Sequence, residues 1–275
     1  MSVARIEARL AALADENRAA FVAYVMAGDP DATSAAAILA GLPAAGADII
    51  ELGLPFSDPV ADGPSIQRAG IRALEQGVTV AGVLDRVRGF READVATPLI
   101  LMGYLNPLLS YGLAAFAAHA AEAGVDGVIV VDCPPEEAGT FADALDRQGV
   151  ALIRLATPTT DADRLKIVAQ GTRGFVYYVS VSGVTGGKQA EARDIAPAIA
   201  RVRAASGLPV VVGFGIRTPG QAAAVARVAD GAVVGTALVD VLAEAVEQGR
   251  DPVASVLDTV AHLAQAVRAA RLVAA

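Results

Sequence analysis

The chain has 275 residues and a formal net charge of −8, and no block of Lys or Arg interrupts it, which argues against nucleic acid or an anionic membrane as partner. Its single cysteine, Cys133, rules out an internal disulfide and points to a reducing compartment. No apolar run reaches the ~18 residues of a membrane helix, and residues 1–18 carry regularly spaced charges rather than the apolar core of a signal peptide, so a soluble, cytoplasmic protein is expected.

In chain order, Ile6, Leu10 and Leu13 recur at helical spacing and predict an amphipathic helix over 2–16. Residues 20–27 are a short apolar run stopped by Gly28-Asp29-Pro30, and 31–45 is Ala-rich and helical, with Thr33 or Ser34 available as its cap. A second strand is predicted over 47–52, followed by a loop to Pro64 and helices over about 64–76 and 79–93. A third strand, 98–102, leads into a helix that runs to about 123. Strands over 127–131, 151–155, 174–179, 209–212 and 232–234 then alternate with helices over 136–148, 161–170, 194–205, 218–229 and beyond 236. The Gly-rich stretch 180–193 is long enough to read as a mobile lid.

Continuous β-branched runs without alternation suit a sheet buried on both faces. Eight βα units therefore predict an α/β fold, a (β/α)8 TIM barrel with an extra N-terminal helix and additional helices after strands 2 and 8, as a single domain over 1–275. A doubly wound open sheet is the alternative, but its G-x-G-x-x-G fingerprint after strand one is absent.

The stretch 51–64 reads E-L-G-L-P-F-S-D-P-V-A-D-G-P, and its prolines and glycines shape the loop. The bland reading makes Asp58 and Asp62 turn residues, and Asp58, before a proline, fits it well. Glu51 does not, because a carboxylate ending a buried strand is costly there without a partner. Gly-rich turns follow strands six, seven and eight, at 183–187, Gly213-Phe214-Gly215 and Gly235-Thr236, where barrels commonly cradle a phosphate with backbone N–H groups and a helix dipole.

The two lysines, Lys166 and Lys188, offer no Schiff base at a strand end. His119 and His262 both fall in predicted helices, which argues against a histidine metal site. Cys133 reads as a small buried filler and Tyr178 as a core aromatic. Acid–base work is left to Glu51, Asp62, Asp132, Tyr24, Tyr104 and Tyr177. The residues alone thus point to a barrel enzyme acting on a small phosphorylated substrate through carboxylates.

The 51–64 stretch resembles the signature of the tryptophan synthase alpha chain family. F-V-A-Y-V-M-A-G-D-P at 21–30, L-M-G-Y-L-N-P at 101–107, S-G-V-T-G at 182–186 and G-F-G-I at 213–216 follow in the family's order and spacing, so the resemblance spans essentially the whole chain. It implies a lyase that cleaves indole-3-glycerol phosphate to indole and glyceraldehyde 3-phosphate. It also implies a complex of two alpha and two beta chains, in which the beta chain holds pyridoxal phosphate and this chain holds no cofactor.

The absences suit that reaction, since an indole protonated at C3 is its own electron sink and needs neither Schiff base nor metal. By resemblance, Glu51 is the general acid–base, Asp62 the carboxylate that bonds the indole N–H, and Tyr177 a tyrosine beside Glu51. Tyr24, Ile66, Met102, Tyr104, Ile129 and Phe214 correspond to the indole pocket, Thr185 to a substrate contact, and Gly186, Gly215, Gly235 and Thr236 to the phosphate cradle. Pro55, Asp58, Asn106, Pro107, Asp132 and Pro134 correspond to the partner contact.

Two positions depart from the family pattern: Thr236 stands where serine is usual and keeps the hydroxyl, and Gly103 replaces a larger residue. Indole-3-glycerol phosphate synthase is a poorer match, because it needs a catalytic lysine at a strand end. A stand-alone indole-3-glycerol phosphate lyase and a catalytically silent activator of a beta chain stay open from the sequence.

Overall fold

The computed structural model describes residues 2–180, 192–213 and 215–272. Its strands are β1 (Ala20–Met26), β2 (Ile49–Gly53), β3 (Leu99–Gly103), β4 (Gly127–Val130), β5 (Ala151–Ile153), β6 (Leu155–Ala156), β7 (Val176–Val179), β8 (Val210–Gly213) and β9 (Gly231–Val234). They form one parallel sheet in the order β5-β4-β3-β2-β1-β9-β8-β7-β6. The two ends of that row, β5 and β6, are neighbours in the chain separated only by Arg154, so the sheet curls into a barrel whose ring is completed by the chain itself.

The predicted eight strands are therefore nine among the described residues, because the fifth is broken. The break has a physical cause. The Arg154 guanidinium reaches outward to the carbonyls of Ile167 and Gln170, at the end of the helix α8 (Ala162–Ala169). On either side of it, β5 pairs with β4 and β6 pairs with β7.

Helices surround the ring. The N-terminal helix α1 (Ser2–Asp15) closes the lower end, with Ile6, Leu10 and Leu13 buried as the spacing predicted. A Cβ on Gly127 or Gly174 would stand 3.2 or 3.1 Å from Ile6, so both glycines make room for this plug. Two acids beside it are neutralised by dense pairing. Asp48 accepts from the Phe21 amide (2.8 Å), from Arg18 (3.2 Å) and from Arg9. Asp126 accepts from the Leu99 amide (2.8 Å), Arg5 (2.8 Å) and Arg91 (2.7 Å).

Helix α2 (Ala32–Ala45) is capped by Asp31, whose carboxylate accepts from the Thr33 and Ser34 amides at 2.9 Å, so neither Thr33 nor Ser34 is the cap. Two helices follow β2, α3 (Pro64–Glu75) and α4 (Val80–Ala93), and two follow β9, α11 (Thr236–Glu247) and α12 (Pro252–Ala269). The helix expected to run to 123 is two, α5 (Leu105–Tyr111) and α6 (Leu113–Ala123). Gly112, at φ 93°, separates them with a backbone that side chains disfavour. The remaining helices are α7 (Gly139–Arg147), α9 (Ala192–Ser206) and α10 (Pro219–Val228). Among the described residues no helix is long and apolar enough to cross a membrane.

Candidate active site

Glu51 does not end its strand. It is the middle residue of β2, which continues to Gly53, and its neighbours in register are Tyr24 of β1 and Ile100 of β3. Its side chain is fully buried, and neither carboxylate oxygen has a hydrogen-bond partner. Desolvation pushes its pKa up to about 8, so the carboxyl is largely protonated at neutral pH.

A cleft lies over this carboxyl. Glu51, Asp62, Tyr24, Tyr177, Ile66, Met102, Gly235 and Thr236 line it, all of them singled out by the sequence, together with Gly63 and Val233. Asp62 lies just before Gly63 and the start of α3. It is half-buried rather than solvated, and desolvation raises its pKa to about 6, opposed by the Tyr104 hydroxyl. At pH 7 one cleft thus holds a largely protonated carboxyl and a largely ionised one.

Tyr24 and Tyr177 are buried on β1 and β7, and burial together with the facing Glu51 and Asp62 holds both phenols well above their usual pKa. Each phenol needs a glycine beside it. A Cβ on Gly53 would stand 2.3 Å from the Tyr24 hydroxyl, and one on Gly213 would stand 1.9 Å from the Tyr177 hydroxyl. Sequence reasoning placed Gly213 in a phosphate-cradling turn and Gly53 in a shaped loop, although glycine inside a strand is itself a sign of close approach. Tyr178, one residue on, faces the core as expected.

Some expected residues lie elsewhere. Ile129 is fully buried in β4, in register with Met102 and Ile153, and does not line the cleft. Tyr104 lies beneath the 54–63 loop, where its hydroxyl accepts from the Ala61 amide at 3.0 Å. Thr185, Gly186 and Phe214 lie outside the described residues, as does most of the expected lid. Gly215 has φ 76°, a conformation suited to glycine. Gly235 precedes α11 with no side-chain cap, which leaves Gly235 and Thr236 at a helix start facing the cleft.

At the upper face Asp58, Asn106, Asp132 and Pro134 are exposed, and Pro55 and Pro107 are half-buried. Val60 and Leu109 expose apolar side chains on the same exit segments. Lys166 lies on the exposed surface of α8, paired with Asp163, and the His119 ring is paired with the Tyr111 hydroxyl at 2.8 Å. Among the described residues no cluster of His, Cys, Asp and Glu could hold a metal ion.

The sequence model of the family described as tryptophan synthase alpha chain matches residues 10–268. The chain belongs to this family. It is a lyase of tryptophan biosynthesis that cleaves indole-3-glycerol phosphate. The tryptophan synthase alpha chain of Phenylobacterium zucineum is 67% identical over 271 residues, 98% of each chain. That of Caulobacter sp. strain K31 is 64% identical, over 99% of each. A crystal structure of tryptophan synthase subunit alpha from Legionella pneumophila superposes with a TM-score of 0.91 at 41% identity, covering 97% of this chain and 98% of that one. At these identities the likeness extends beyond the barrel to the family.

Proposed function

We propose that Glu51 and Asp62 divide the cleavage of indole-3-glycerol phosphate between them. The observation that carries this reading is the split in one cleft between a buried, unpartnered carboxyl with a pKa of about 8 and a second carboxyl with a pKa of about 6. Such a split assigns acid and base roles when no metal or imine is at hand.

Protonated Glu51 gives its proton to indole C3, forming the C–H bond and leaving positive charge on the ring nitrogen. Ionised Asp62 accepts a hydrogen bond from the indole N–H and stabilises that charge. Glu51, now a carboxylate, takes the proton from the hydroxyl on the carbon attached to C3. The C–C bond breaks, its electrons return to the ring, and the carbon leaves as the aldehyde of glyceraldehyde 3-phosphate. Atoms and charge balance, and Glu51 ends protonated again. Tyr177 and Tyr24 form the apolar, water-poor floor that keeps Glu51 protonated. The phosphate rests on the backbone N–H groups at the start of α11, at Gly235 and Thr236, with Gly215 nearby.

The test is single-turnover release of indole together with substrate affinity. Glu51→Gln abolishes release while substrate still binds, and Asp62→Asn is severely impaired because an amide cannot balance the cation. Retained turnover in Glu51→Gln refutes the assignment.

The partner of this reading is a beta chain that consumes the indole and carries pyridoxal phosphate, in a complex of two alpha and two beta chains, while this chain needs no cofactor. The exposed face of Asp58, Asn106, Asp132 and Pro134, with the apolar Val60 and Leu109 beside them, supports docking at the open end of the barrel. Asp58→Ala weakens activation by a co-purified beta chain more than it alters phosphate binding. An unchanged complex with unchanged activation would remove Asp58 from the interface.

A further inference from the structure

The loop that carries Asp62 is held from outside the cleft, by the segment that leaves β3. Three contacts do this. A Cβ on Gly103 would stand 2.9 Å from the Leu54 side chain, so the glycine lets the first loop residue pack onto the strand end. The Tyr104 ring lies against Phe56, with centroids 5.3 Å apart. The Tyr104 hydroxyl accepts from the Ala61 amide at 3.0 Å and lies beside the Asp62 carboxylate, whose charged form it favours. Tyr104 is 3% exposed and does not line the cleft.

Tyr104 in turn is seated by a residue distant in sequence. It stands immediately before α5 but gives that helix no side-chain hydrogen bond, since its phenol is committed to the loop. The missing acceptor comes from Asp132, on the exit from β4, whose Oδ1 accepts from the Leu105 amide at 2.8 Å. An acceptor at a helix start fixes where the preceding residue sits. Here the preceding residue is Tyr104.

We propose that Tyr104, seated by Asp132, is a positioning residue for Asp62: the pair fixes how far the Asp62 carboxylate reaches into the cleft. The proposal deepens the role given to Asp62 above and rests on it. It also gives Gly103 a purpose, because a larger residue there would lift Leu54 off the strand end and loosen the loop.

The groups that face Asp62 are Tyr104, Glu51 from β2, Tyr24 from β1 and Tyr177 from β7. Only the Tyr104 hydroxyl favours its charge, because burial opposes it. The experiment is the pH dependence of kcat and kcat/KM for indole release by the full-length chain, with melting temperatures as a fold control. Asp62 must be ionised, so activity falls as the pH drops through about 6.

Tyr104→Phe keeps the ring against Phe56 and removes the hydroxyl. It moves that acid limb upward by about one pH unit, with kcat changing more than KM. Asp132→Ala moves the limb the same way by less, and Asp132→Asn, which retains the acceptor oxygen, restores most of the loss. An unmoved limb in Tyr104→Phe, with the limb lost in Asp62→Asn, overturns the positioning role while leaving the Asp62 reading intact. Uniform loss at every pH with a lowered melting temperature also overturns it, as does Asp132→Ala behaving like the parent. If Asp62→Asn keeps the acid limb, the reading of Asp62 itself falls, and the proposal with it.

Discussion

Four carboxylates are buried among the described residues; Asp29 is paired with Arg72, and the two ends of the barrel treat the other three in opposite ways. At the closed end, Asp48 and Asp126 each meet two arginines and a backbone amide. At the open end, Glu51 meets none of these, though it is as deeply buried and lies only three residues beyond Asp48. Burial is common to all three, so burial alone does not make a catalytic acid. What separates Glu51 is that the protein withholds a counter-charge, and the carboxyl responds by holding its proton to about pH 8. The lower acids tie α1 and α4 to the strand starts, whereas the upper one is left free for chemistry.

The comparison breaks first at Glu51 and Asp126. Glu51→Gln is expected to slow single-turnover indole release by about 10²–10⁴-fold or more, since one group serves two proton transfers. Asp126→Ala leaves turnover of the folded protein unchanged but removes the counter-charge of two guanidinium groups and the acceptor of the Leu99 amide. It is expected to lower stability by about 3–5 kcal/mol in urea titrations. If the two variants exchange these signatures, the distinction between the ends fails.

A reciprocal effect on stability sharpens the contrast. Folded Glu51 keeps a proton that the unfolded chain releases, so stability falls as pH rises from about 4.5, the ordinary glutamate value, to about 8. Glu51→Gln does not titrate, so it is more stable than the parent, with the advantage growing through that window and level above it. Urea midpoints at acid and alkaline pH measure this, and an advantage independent of pH would contradict it.

The mildest expected effect is in the pH profile of kcat/KM. Asp62 must be ionised and Glu51 protonated, so activity is lost below about pH 6 and above about pH 8. Asp62→Asn removes the acid limb from the residual activity and leaves the alkaline one.

The barrel was legible in the sequence because every strand is an apolar run and every exit loop is punctuated by glycine or proline. Glu51 was legible as the one acid that packing could not explain. The end of its strand was misplaced because Leu52 and Gly53 read equally well as strand or loop, and only the Tyr24 phenol above Gly53 shows why a glycine continues the strand. The broken fifth strand was hidden because Ala151 to Ala156 read as a single run around Arg154, and an arginine that caps a distant helix end leaves no local pattern. The burial of Asp62 left no mark in the sequence, because an acid in a Pro/Gly-rich loop has no local pattern that tells a half-buried side chain from a solvated one. Its half-buried carboxyl lies beside the hydroxyl of Tyr104, which is 42 residues away in the chain.

The break at Arg154 has a mechanical consequence. Elsewhere in the described ring the strands are continuous, whereas β5 and β6 are successive pieces of one run joined through Arg154, with the Leu152 carbonyl accepting from the Arg173 amide at 3.3 Å on the β7 side. That joint cannot unzip, yet it can hinge. β6 has two residues in register with β7, and the Arg154 carbonyl accepts from the Tyr177 amide at 3.0 Å. Tyr177 thus stands on the strand that such a hinge would carry. The backbone amides along this seam should exchange with deuterated solvent sooner than those of β1 and β2, and any flexing of the ring reaches the floor of the cleft first through β7.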